Sequence, residues 1–207
     1  MRPKMAMDAY ILWLDRFSGT HQIEYFLSVD HDDPRRYDYV ERFKNTGVTV
    51  VINQNRSLVD AVNNAAKLIT GDCIVVVSDD FECPDDWDIL LSMFVATVET
   101  PLYSLQVNDG YSHPERLTTI PIISKDLYKR LGYVYNPLYF SMWVDNDLYE
   151  TCDKMGVLVN VPVLFQHKHW ANNKRTKDQT DIRHSSDSAF EQGRKIFEQR
   201  KLEGFPA

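Results

Sequence analysis

The sequence predicts an α/β domain with a mostly parallel central sheet flanked by helices. Three observations predict it. Short β-branched and apolar runs alternate with stretches of helical periodicity. The runs are apolar on both faces, as strands covered on both sides are. Polar clusters fall where the predicted strands end, the edge at which such sheets gather ligands. With 207 residues, 43% of them hydrophobic, the chain has material for one full core and is read as a single domain, 1–207, in halves of about 1–100 and 101–207.

Taken in order, Pro3 opens a helix whose apolar residues Met5, Ala6, Ala9, Tyr10, Trp13, Leu14 and Phe17 recur at helical spacing until Ser18-Gly19. Residues 23–29 (IEYFLSV) read as a buried strand emptying into the acidic loop Asp30-His31-Asp32-Asp33-Pro34, with a short helix over 35–43. The β-branched run 48–52 is the next strand. It leads through Asn53-Gln54-Asn55-Arg56 to a helix capped by Ser57, with Val59, Val62, Ala65 and Ala66 on one face. Gly71 closes that helix, and 73–77 forms a strand that runs straight into Asp79-Asp80. Asp30, the 53–56 loop and the Asp79-Asp80 pair thus converge on one sheet edge.

The second half is less regular. A helix over 84–98, strands over 103–107 and 117–123, and a helix over 125–131 behind Ser124 are expected. A helix over 142–155 carries Asp145 and Asp147. A strand run over 157–165, broken by Pro162, ends in His167-Lys168-His169-Trp170. Residues 171–186 read as a polar loop and 187–201 as a closing helix.

The formal charge of −7 gives no global drive toward nucleic acid or an anionic membrane, although Lys168, Lys174, Arg175 and Lys177 could form a local basic patch. No run approaches the ~20 apolar residues of a membrane span, and no apolar stretch follows Met1-Arg2-Pro3-Lys4 to make a signal peptide. Three cysteines, Cys73, Cys83 and Cys152, fit neither a zinc site nor a disulfide framework, so a cytoplasmic, reducing setting is expected.

Laid out this way, residues 1–170 resemble a nucleotide-sugar glycosyltransferase of the GT-A fold, closest to the family 2 type. The helix over 59–67, then Thr70-Gly71-Asp72, an apolar strand, Ser78-Asp79-Asp80 and Pro84 are similar to that family's block ending in an Asp-x-Asp motif. Trp143-Val144-Asp145-Asn146-Asp147-Leu148 resembles its Glu-Asp-x-Asp-Leu segment, which bears the catalytic base. His167 or His169 falls where such enzymes place a late metal-binding histidine. The chain departs from the pattern in three places. It enters through a helix and lacks the family's first strand, Ser78 replaces the first Asp of the triplet, and Val144 stands where the family has Glu.

The resemblance implies a metal-dependent enzyme that moves a sugar from a nucleoside diphosphate donor to an unidentified acceptor, with inversion. A diphosphate leaving group concentrates negative charge, and Mn2+ or Mg2+ on hard carboxylate oxygens stabilises it. Asp80 is then expected on the metal, Asp79 on metal or ribose, and His167 or His169 as a further metal ligand. Asp30 and Asp32 would contact base or ribose, and Asn55 and Arg56 the nucleotide. Asp145 is the expected base, with Asp147 its substitute if the helix register shifts by half a turn. Trp143 and Trp170 could stack on an acceptor sugar or simply wall the site. The absent strand leaves homo-oligomerisation open. It also keeps alive a non-catalytic nucleotide- or carbohydrate-binding module; a sugar-nucleotide nucleotidyltransferase is disfavoured because no glycine-rich N-terminal loop is present. Each acid also has a plain reading, as a turn, a helix cap or a solvated helix face.

Overall fold

The computed structural model describes residues 2–110, 117–170, 175–178, 181–182 and 185–206. Helix α1 (Pro3–Asp15) precedes strand β1 (Phe26–Asp30), helix α2 (Arg36–Arg42), strand β2 (Thr49–Asn53) and helix α3 (Leu58–Ala66). Strand β3 (Cys73–Val75) leads to the two-residue β4 (Phe81–Glu82) and helix α4 (Trp87–Val95). Strands β5 (Ser104–Asn108) and β6 (Ile122–Ser124), helices α5 (Lys125–Leu131) and α6 (Val144–Lys154), and strands β7 (Leu158–Leu164) and β8 (Gln166–His167) follow. Helix α7 (Asp187–Glu203) comes last.

The strands form three hydrogen-bonded pieces: β1-β2, β3-β6-β5-β7 and β4-β8. The sheet is mixed, with parallel pairing the more extensive. β1 with β2 and β5 with β7 run parallel, whereas β3 with β6, β5 with β6 and β4 with β8 are antiparallel. A parallel return needs a covering crossover, usually a helix; among the described residues none lies between β5 and β6. Among the described residues, α1 is the first element, and β1 pairs with β2 and β3 with β6 alone.

Local chemistry explains the helix starts. Ser57, Ser124 and Ser186 sit in extended backbone, and their hydroxyls accept from the N–H groups of Asp60 (3.1 Å), Leu127 (3.0 Å) and Ala189 (3.3 Å). Gly132 ends α5 at φ 79°, a left-handed turn that costs glycine little. Three apolar clusters hold the layers. One joins α1 and α2 to β1 through Ala6, Tyr10, Val29, Tyr39 and Phe43. A second packs Trp13, Leu91 and Phe165 around β5. The third fastens α3, α5 and α6 to Ile74 and Ile123. Strand β5 lies between β6 and β7, so even its polar residues Ser104 and Gln106 are buried. Gln106 is satisfied by the Leu117 carbonyl and by the Thr118 hydroxyl at 2.8 Å.

Strand β7 continues through Pro162, contrary to the expected break. The irregularity falls instead in its pairing, where the register with β5 shifts between Val107 and Asn108. The predicted loop over 171–186 lies largely outside the described residues. Among the described residues, no helix is long and apolar enough to cross a membrane.

Candidate functional site

The apolar strand β3 carries the chain to Asp79 and Asp80, and the next two residues, β4, pair antiparallel with β8. This short ladder sets Phe81 opposite His167, their rings stacked at 4.0 Å and 14°. The Lys168 N–H donates to the Asp80 carbonyl at 2.7 Å. The ladder therefore clamps the predicted histidine beside the predicted acid: His167 Nε2 stands 3.6 Å from Asp80 Oδ2. The rings of His167 and His169 lie 4.9 Å apart. Burial and the neighbouring His167 lower the His169 pKa.

The two carboxylates differ. Burial would raise Asp80, but the His167 imidazole, the Ser78 hydroxyl (2.7 Å) and the Arg175 guanidinium (3.0 Å) hold it well below the usual carboxylate range. Asp79 is raised, because burial and the Asp80 charge outweigh its bond from Arg2 at 2.9 Å. Arg2 also binds Asp178 and Asp181, and Arg175 also binds Asp181. Sequence reading missed Asp178, Asp181 and Arg2, whose partners Asp79, Asp178 and Asp181 lie far along the chain. It placed Arg175 in a basic patch, whereas the structure puts it on Asp80; Lys174 of that patch lies outside the described residues.

Asp145 and Asp147, both in the first turn of α6, have separate environments. Asp147 is 2% exposed; it takes Arg200 Nε at 2.5 Å and the Tyr139 hydroxyl at 3.1 Å. That binds α6 to α7. The Asp145 carboxyl lies near His167 and Asp109, and burial raises its pKa. Asp109, just past β5, was not anticipated; the signal available was an acid following an apolar strand. It accepts from the Thr119 hydroxyl at 2.9 Å, and its carbonyl accepts from the His167 N–H. The structure thus brings Asp79, Asp80, His167, Asp145 and Asp109 into one neighbourhood.

At the end of β1, the buried Asn55 donates to Asp30 at 3.0 Å and is itself held by Asn64. Beside them a cavity of about 160 Å³ is lined by Ser28, Asp30, Asp33, Tyr39 and Ser57 among others. Asp32 is exposed. Arg56 is also exposed and doubly bonded to Asp60 within its own helix start. Trp143 packs on Phe190 and Phe197 of α7, and Trp170 lies under Lys177 at 4.2 Å.

The donor chemistry around Asp80 suits a hard divalent ion: carboxylate oxygen with an adjacent imidazole nitrogen. Among the described residues, no three His, Cys, Asp or Glu side chains stand together in ligand geometry. Arg2 occupies one oxygen of Asp79 and Arg175 one oxygen of Asp80.

No curated protein matches the chain. Among solved structures, the fold is similar to that of the mannosyltransferase PcManGT from Pyrobaculum calidifontis, determined in complex with GDP-Man and Mn2+. The TM-score is 0.60 at 13% identity, covering 96% of this chain and 71% of that one, which establishes a GT-A-like fold. The model of glycosyl transferase family 2 matches residues 19–150, which span β1 to β6, the acid pair and the first turns of α6. With well over half its length inside that match, the chain belongs to glycosyl transferase family 2.

Proposed function

We propose that the protein transfers a sugar from a nucleoside diphosphate donor to an acceptor in a divalent-metal-dependent reaction that inverts the anomeric centre. The observation that carries the reading is the β4-β8 ladder, which holds His167 3.6 Å from Asp80 at the end of β3. The likeness to a mannosyltransferase solved with GDP-Man and Mn2+ supports it.

In this reading Asp80 and His167 hold the ion, with Asp79 joining them or the donor ribose and His169 flanking. The ion supplies Lewis-acid stabilisation of the departing diphosphate. Asp30, which lines the 160 Å³ cavity, receives the base or ribose with Asp32, and Asn55, bonded to Asp30, and Arg56 contact the nucleotide. Asp145 accepts the acceptor hydroxyl's proton. Its raised affinity for protons suits a general base better than an unperturbed carboxylate would. The bonds of Asp147 to Arg200 and Tyr139 favour Asp145 for that role. Direct attack by the acceptor then inverts the anomeric carbon. The first half of the domain holds the donor and the second half the acceptor. The cytoplasm suits the three free cysteines.

Release of nucleoside diphosphate from a panel of nucleotide sugars, with Mn2+ or with a chelator, tests the proposal. Metal-dependent release from one donor is expected; release indifferent to the chelator would sink the metal-dependent reading.

Asp145→Asn separates catalysis from stability. It is expected to lower turnover by about 10²–10⁴-fold, the usual contribution of a positioned base. Because the Asp145 pKa is raised on folding, its ionised form opposes folding above the unfolded value. Asp145→Asn should therefore melt higher than wild type at pH 7. The difference should vanish as the pH falls below about 4, where the unfolded carboxyl is protonated too. Melting curves from pH 3 to 8 check the sign, and a variant that melts lower at pH 7 contradicts it.

A further inference from the structure

Two arginines sit on the acid pair. Arg2 directs Nη1 to Asp79 at 2.9 Å, Nε and Nη2 to Asp178 at 2.6 and 2.7 Å, and Nη2 to Asp181 at 2.9 Å. Arg175 reaches Asp80 at 3.0 Å and Asp181 at 2.6 and 2.7 Å. Their side chains are only 11% and 16% exposed, so their pairs with Asp79, Asp80 and Asp181 are largely shielded from water. Among the described residues, four carboxylates face these two guanidinium groups. The Nε of Arg175 is buried without a hydrogen-bond partner among the described residues, so its fork is incompletely used where it stands.

A guanidinium fork matches phosphate as well as it matches carboxylate. We propose that Arg2 and Arg175 are donor-phosphate ligands parked on the acid pair. In loading, they release Asp79 and Asp80 to the divalent cation and turn onto the diphosphate. This rests on the donor-site reading above and adds to it a reason for cation and donor to enter together. The exchange is balanced: the cation brings two positive charges and the donor diphosphate two negative ones, so the cluster's net charge is unchanged. Asp178 and Asp181 are the anchors. Each accepts from the other's backbone N–H, at 3.1 and 2.9 Å, which fixes both acids while the arginines pivot between partners. A cation alone takes Asp79 and Asp80 from the arginines and leaves those bonds unreplaced, although Asp178 and Asp181 still hold both side chains; a diphosphate replaces them.

Mn2+ titration followed by electron paramagnetic resonance, with and without GDP or UDP, tests this on wild type, Arg2→Gln and Arg175→Gln. Arg194→Gln is the control, since Arg194 pairs with Glu191 and Glu198 on the exposed face of α7. Wild type should bind Mn2+ weakly alone and at least ~10-fold more tightly with the matching nucleoside diphosphate. Each of the two arginine variants should bind Mn2+ alone about 10-fold more tightly than wild type, yet bind the nucleotide more weakly. Arg194→Gln should change neither. If Arg175→Gln does not fold, Arg175→Lys keeps a positive charge without the fork. It should hold Mn2+ affinity near wild type and lose the coupling to nucleotide. Unchanged or weaker Mn2+ binding in the arginine variants, with wild type still binding both ligands, overturns the exchange and leaves the donor-site reading standing. Wild type that binds neither ligand overturns both.

Discussion

Replacing Asp80 with Asn is expected to abolish metal-dependent donor turnover, lowering kcat/KM by about 10²–10³-fold or more, while leaving the fold intact. The magnitude follows from removing one preorganised charge that stabilises a developing oxyanion. Asn keeps the shape of Asp80 and can still accept from the Ser78 hydroxyl, which bonds Oδ1 at 2.7 Å. It cannot bind a cation as a carboxylate does. Arg175 keeps its two bonds to Asp181, so no buried guanidinium is stranded. Steady-state kinetics across a Mn2+ series, alongside circular dichroism, checks the result. Turnover within a factor of three of wild type would remove Asp80 from the site.

The largest loss of stability is expected at Arg200. Asp147 and Arg200 are 2% and 6% exposed at their side chains and meet at 2.5 Å. The ion pair is further held by Tyr139, Thr151 and the Pro206 carbonyl. Arg200→Met leaves the Asp147 carboxyl buried without its cation. Such truncations cost about 3–5 kcal/mol, roughly 10 °C in melting temperature for a chain of this size. Removing both charges in Asp147→Leu with Arg200→Met should recover much of that loss, because a buried pair contributes little net against an apolar replacement. Thermal melts of the two single variants and the double variant close the cycle. A fully additive double variant would mean the two groups do not depend on one another.

Features set by local chemistry were legible in the sequence. Helix α5 was read at 125–131 behind Ser124, whose cap lies beside the segment itself. The strand ends at Asp30 and Asp79-Asp80 were legible because an apolar run stops at a carboxylate. The β4-β8 ladder was not, since two residues carry no periodicity and their partners lie more than eighty positions away. For the same reason the choice between Asp145 and Asp147 stayed open. They stand two residues apart on one helix, and the environment of Asp147 is set by Arg200, 53 positions on. Arg2 was not singled out and Arg175 was placed in a basic patch, because a buried ion pair leaves no mark on the sequence around either partner. The antiparallel return of β6 was not legible either, since the alternation of strand and helix that signals parallel pairing holds only through the first half.

The most direct test of the donor site is calorimetric titration of a nucleoside diphosphate panel into the wild-type chain and Asp80→Ala, each with and without Mn2+. Binding of one nucleotide that requires Mn2+ and disappears in Asp80→Ala is the expected result, and it would also identify the donor base. Nucleotide binding that is equal in both chains, or indifferent to Mn2+, would contradict a cation held by Asp80 beneath the donor diphosphate.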